Sequence, residues 1–166
     1  MADGKQADAI EDGRDETEAE RLDRNWGDIL QELRVVQTGT QILTGFLLTL
    51  PFQQRFSTLD ATEVGIYLAL VSLAALATLL ALTPVALHRG LFRRQAMGFV
   101  VHVANRLMRL SLLVIALTLA GTALLVFSVV VSLTAGIVAA AIVLILSALA
   151  GVALPLVARA RVGARS

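Results

Sequence analysis

The chain contains no cysteine, a single lysine, one tryptophan, one tyrosine and three prolines, and no acidic residue follows Glu63. The missing thiols exclude disulfides, thiolate metal sites, iron–sulfur clusters and cysteine nucleophiles. Charge is scarce as well: 16% of the 166 residues are charged and 57% are hydrophobic, too little polarity for an ordinary water-soluble domain of this size. Serine–histidine–acid arrangements, phosphate-binding glycine loops and nucleic-acid motifs are absent in recognisable form. No enzymatic activity, cofactor, metal or nucleic-acid partner is therefore expected. His88 and His102 are fourteen residues apart without acids nearby in sequence, a poor metal-ligand pattern.

What is present is a separation of charge. The formal net charge is only +1, yet all thirteen acids lie between Asp3 and Glu63 beside six cations, a net of −7, whereas the eight arginines after residue 63 face no acid, a net of +8. An acidic head and basic loops can lie against each other. Arginine outnumbers lysine thirteen to one in an Ala-, Leu- and Val-rich chain, the composition of a GC-rich bacterial genome. The expected location is the bacterial plasma membrane.

Residues 1–16 are small, polar and acidic, without an apolar core or cleavage pattern, and read as a disordered N-terminus. Thr17 and Glu20 stand at capping-box spacing, and Leu22, Trp26, Ile29, Leu30 and Leu33 then share one helical face. Residues 17–33 are expected to form an amphipathic helix, either lying at the membrane surface with Trp26 at the interface or extending the first span. A span needs about 20 apolar residues, and four stretches qualify approximately: 35–52, 64–87, 110–131 and 136–157, the last two joined by the short turn 132–136. The expected fold is all-α, an integral membrane four-helix bundle over 34–157, with a basic tail at 158–166. Arginines in the linker after the second stretch and in the tail place both termini in the cytoplasm. Pro51, Pro84 and Pro155 fall near span ends, where they read as helix punctuation or bends.

The first stretch is the most polar. At about 100° per residue, Arg34, Gln37, Thr38, Thr44, Gly45 and Thr49 fall within roughly 80° of Gln41. Polar groups in hydrocarbon need partners, so this stripe is expected to face inward, to a bundle, a subunit interface or a wet pathway. It serves either as a polar route with Arg34 at its mouth or as interhelical glue. Ionisable residues lie only toward the ends of the spans, where Glu32, Asp60, Glu63, His88 and His102 are the titratable candidates. Arg89, Arg93, Arg94, Arg106 and Arg109 form a cationic collar for anionic lipid or serve only to set topology. Membrane lipids and a homo-oligomeric or other membrane partner are the expected contacts. The pairs Ala77/Ala81, Ala116/Ala120 and Ser147/Gly151 have the four-residue spacing of close helix approach.

The segments "ILQELRVVQTGTQILTGFLLTLPFQQRF" at 29–56, "PVALHRGLFRR" at 84–94 and "HVANRL" at 102–107 occur in an order that resembles an uncharacterised actinobacterial family of short four-span membrane proteins. Some members of that family carry a sodium:proton antiporter label. That label and the Gln/Thr stripe favour a small ion or proton transporter, oligomeric because four short spans offer little room for a private pathway. The residues themselves leave open a second expectation, a non-catalytic scaffold or accessory subunit acting through helix association. Counting against proton coupling is the lack of any acid at mid-membrane depth, where such carriers commonly place one.

Overall fold

The computed structural model describes residues 17–91, 97–153, 156 and 160. The fold is all-α, with helices α1 (Glu18–Thr49), α2 (Ala61–Leu91), α3 (Met97–Val130) and α4 (Leu133–Ala148). Two short 3₁₀ turns, Leu50–Phe52 and Gln54–Thr58, connect α1 to α2, and a π-turn at Leu149–Ala153 follows α4. Pro51 occupies the first turn of the first of these connectors, where its missing N–H costs nothing. Pro84 instead lies inside α2, which continues past it to Leu91, and Pro155 is outside the described residues.

Side chains set the helix starts. The Thr17 hydroxyl accepts from the Glu20 backbone N–H, and the Glu20 carboxylate accepts from the Thr17 hydroxyl at 2.7 Å and its backbone N–H at 2.8 Å. These bonds, that of the hydroxyl first, hold the Glu20 carboxyl below its ordinary range. Asp60 and Glu63 repeat the device at α2, each carboxylate accepting the other's backbone N–H, at 2.8 and 3.0 Å. Ser132 caps α4 by accepting from the Ala135 N–H.

Three helices pack along heptad seams. On α1 the buried positions are Trp26, Leu33, Thr40 and Leu47, each seven residues from the next, with Ile29, Val36, Leu43 and Leu50 half-buried between them. On α2, Tyr67, Leu70, Ala74, Ala77, Ala81 and Pro84 alternate steps of three and four. This is the period that keeps one stripe turned toward a neighbour over the whole length of a helix. Small residues bring α2 and α3 close, with Ala104, Ser111, Thr118 and Ala120 buried on α3. Gly121 leaves a notch that Leu70 fills, a Cβ there meeting Leu70 Cδ2 at 2.5 Å.

The structure takes one of the two forms expected for residues 17–33, an extension of the first span, and departs from the expected bundle. Residues 17–33 and the first polar stretch form one unbroken helix, because the apolar face beginning at Leu22 continues through Leu33 to Leu47 without a change of phase. The four helices also do not close into a bundle: among the described residues α4 contacts only α3 and its own π-turn, while α1, α2 and α3 pack mutually. Being apolar all round, α4 has no stripe to bury, and most of its large side chains remain exposed. Three helices, spanning Ala61–Gly90, Gly98–Val130 and Leu133–Gly151, are long and apolar enough to cross a membrane. α1 is not among them, since its polar stripe and charged first half lower its hydropathy.

Candidate functional site on the first helix

The seam fixes the level of every residue on α1. Trp26 stacks on His88 near the end of α2, ring centroids 4.5 Å apart and planes 22° from parallel, and packs against Val100 and Ala104 of α3. Leu33 packs with Ala81 and Met108, and Leu47 with Tyr67, Leu70 and Leu125. α1 therefore runs antiparallel to α2 along most of its length. With a rise of 1.5 Å per residue, Gln41 lies about 12 Å beyond the Leu33 level and about 9 Å short of the Leu47 level. That places it beside the middle of an apolar helix long enough to span.

The polar stripe exists but does not face the other helices. Arg34, Thr38, Gln41 and Thr49 are exposed; Gln37 and Thr44, on the side nearer the seam, are half-buried. The face that does pack, centred on Leu33, Thr40 and Leu47, is rotated about 100° from Gln41. Of the three expected settings, the stripe does not take that of the bundle within one chain, because the apolar heptad offered α2 and α3 a better surface to bury; a subunit interface and a wet pathway stay open. The one polar residue in the seam, Thr40, bonds its hydroxyl to the Val36 carbonyl at 2.8 Å, so its burial leaves nothing unpaired. Thr38 and Thr49 likewise donate to carbonyls of their own helix, those of Arg34 and Phe46. Thr44 is the exception, its buried hydroxyl oxygen lacking a partner. Beyond the stripe, Val35, Ile42 and Phe46 present an apolar, exposed face suited to lipid.

The other candidates separate. Asp60 and Glu63 are helix-capping groups, a role visible in their D-x-x-E spacing, and Glu32 is exposed on the side of α1 away from the stripe. His88 turns from the collar into the Trp26 stack and is half-buried. His102, Asn105, Arg106 and Arg109 share the exposed face of α3, opposite Val100, Ala104 and Met108, and Arg89 is exposed at the end of α2. Arg93 and Arg94 lie outside the described residues. Among the described residues no group of His, Asp or Glu is placed to hold a metal ion. Ala77, Ala81 and Ala120 are buried, but Gly151 has nothing within 4 Å of where a Cβ would be, so the Ser147/Gly151 pair makes no close helix approach there.

Two residues hold structural roles that the sequence reading did not give them. Trp26 is 7% exposed, at a three-helix junction rather than at an interface with lipid; the signal was its place in the seven-residue repeat with Leu33 and Leu47. Gly136, next to the turn into α4, is buried where α4 crosses α3. A Cβ there would collide with Ser128 Oγ and stand 2.6 Å from the Leu124 carbonyl oxygen.

Residues 15–155 match a family described as a Family of unknown function (DUF6328), and the chain belongs to that family. Comparison with curated proteins and with solved structures finds no match.

Proposed function

We propose that this DUF6328 protein is a non-enzymatic, four-span membrane protein, both ends cytoplasmic, which works as a homo-oligomer assembled through the outward stripe of α1. The observation that carries this reading is Gln41, exposed on the outer surface of the monomer at the level of mid-α2. Residues 33–50 rise about 26 Å, close to the ~30 Å hydrocarbon core, so α1 supplies a fourth crossing beside its apolar neighbours. Four crossings return both ends to the side that carries Arg89, Arg106 and Arg109.

An amide facing hydrocarbon alone is costly. A second copy answers it with the same chemistry, since two glutamine amides across a two-fold axis can each donate and accept. Replacing Gln41 by leucine should leave the monomer fold intact and weaken association by about 1 kcal/mol, roughly fivefold in dissociation constant, measured by energy transfer between labelled copies in vesicles. Unchanged association would remove Gln41 from the interface.

Ion or proton passage is the second reading, and Thr44 favours it: its hydroxyl is buried beside the stripe and unpartnered. The route would run along the stripes where copies meet, with Arg34 at the cytoplasmic mouth. Vesicles holding a pH or sodium gradient separate the two. Leakage above that of empty vesicles, abolished by Gln41→Leu while association persists, supports passage. No leakage leaves association alone.

A further inference from the structure

At the end of the helices opposite the Trp26 junction, a cavity of about 170 Å³ lies between the α1–α2 connector and the end of α3. Its wall includes Leu50, Phe56, Leu59, Leu125 and Val129 with Gln53 of the connector beside them, and the surface turned to the cavity is apolar. An apolar cavity of about 150 Å³ is large enough to take a benzene ring. Arg55 also borders the cavity and is exposed, so its aliphatic stem can lie along the wall with the guanidinium within reach of the rim. The connector is firmly set: Phe56 packs edge-on against Tyr67 with ring centroids 5.0 Å apart, and the Thr58 hydroxyl donates to the Arg55 carbonyl.

The guanidinium has no ion-pair partner among the described residues. The nearest acids in sequence, Asp60 and Glu63, are committed to each other's backbone N–H groups. On the α3 side the wall adjoins Val126 and Val130, both exposed to what would be lipid. An apolar hole open toward acyl chains, bordered by an arginine with no ion-pair partner among the described residues, matches one class of ligand.

We infer that this cavity binds an anionic phospholipid, one acyl chain entering between Phe56 and Val129 and the phosphate resting on Arg55. The site rests on the membrane-spanning reading and not on association through α1. Its phosphate contact is a charge-assisted hydrogen bond of the kind arginine forms in bidentate geometry. It lies at the opposite end of the helices from the arginine collar, so the two can be separated by mutation.

The test is native mass spectrometry of the full chain in detergent, with phosphatidylglycerol or phosphatidylcholine added at equal concentration. The wild type should retain one phosphatidylglycerol with about fivefold preference. Arg55→Gln, a change at an exposed side chain, should abolish the preference, lowering phosphatidylglycerol retention more than that of phosphatidylcholine, whose quaternary ammonium offsets its phosphate charge. Val129→Phe, which fills the cavity, should lower retention of both lipids. Glycerol phosphate, a headgroup without chains, should not compete. The inference is overturned by equal retention in wild type and Arg55→Gln, by competition from glycerol phosphate, or by a preference that disappears only when Arg106 and Arg109 are both changed to glutamine. Loss of self-association in Gln41→Leu, with lipid retention unchanged, would leave this site standing on its own.

Discussion

Trp26→Ala should be among the most damaging single substitutions in the chain, costing about 3–5 kcal/mol of stability, the usual range for removing a buried large aromatic. Trp26 is the only aromatic residue in the α1 seam and packs on both neighbours at once, on His88 of α2 and on Val100 and Ala104 of α3. Its removal opens a cavity that none of these can fill, since Ala104 is small and His88 has lost its stacking surface. The effect should be confined to the end of α1 nearer its N-terminus, the Leu47 cluster being more than 20 residues away along the helix. Trp26→Phe, which keeps a stacking face, should lose less than half as much. Equilibrium unfolding in mixed micelles checks the magnitudes. A loss below about 1 kcal/mol for Trp26→Ala would mean that the junction does not hold α1 in place.

Gly136→Val should detach α4 from α3. The added Cβ meets the Leu124 carbonyl oxygen at 2.6 Å and the Ser128 backbone nitrogen at 3.1 Å, and backbone atoms cannot rotate away as a side chain can. Overpacking of this sort typically costs about 1–3 kcal/mol. Here the strain has an easy release, because among the described residues α4 is held by α3 alone. The expected response is movement of α4 rather than unfolding. Spin labels on Ala123→Cys and Ala139→Cys, which line the same groove between α3 and α4, read this directly in a chain with no native cysteine. Their separation should widen in Gly136→Val and change less in Gly136→Ala, with the α1 seam undisturbed. An unchanged separation in the valine variant would show that the crossing is looser than Gly136 implies.

These two residues also mark where sequence reasoning reached and where it stopped. Local signals were legible: Thr17 and Glu20 form the expected capping box, and the run from Leu22 to Leu33 is helical with its apolar side packed. The polar stripe was legible too, since periodicity alone collects Arg34, Thr38, Gln41 and Thr49 on one side. Its direction was not. A polar face in an apolar chain invites the inference that it points inward, yet two surfaces of α1 competed for the interior, and the heptad of Trp26, Leu33, Thr40 and Leu47 won. Thr40 hid that repeat, being polar by composition but self-satisfied through Val36. Asp60 and Glu63 drew attention as titratable groups although their spacing spells a helix start. Gly136 could not be singled out from a chain with 12 glycines, because its importance depends on where α4 crosses α3.

The outward stripe alters what the polarity of α1 has to explain. Inside a monomer it would be a packing detail, whereas on the outer surface, at the depth that the proposed fourth crossing gives it, it calls for a partner. The exposed side chains flanking it are of the opposite character, with Val35, Ile42 and Phe46 suited to lipid. α1 therefore presents three distinct sides: a seam toward α2 and α3, a polar stripe, and an exposed apolar face.

Cysteine scanning along α1 in native membranes is the most direct test, since every thiol in the experiment is one introduced on purpose. Single replacements from Arg34 to Thr49 would be oxidised in situ and scored for disulfide-linked dimers. Association through the stripe predicts peaks at Thr38, Gln41 and Gly45 and little linkage at Val35, Ile42 and Phe46. Peaks on the Val35–Ile42–Phe46 side, or no linkage anywhere along the helix, would contradict it.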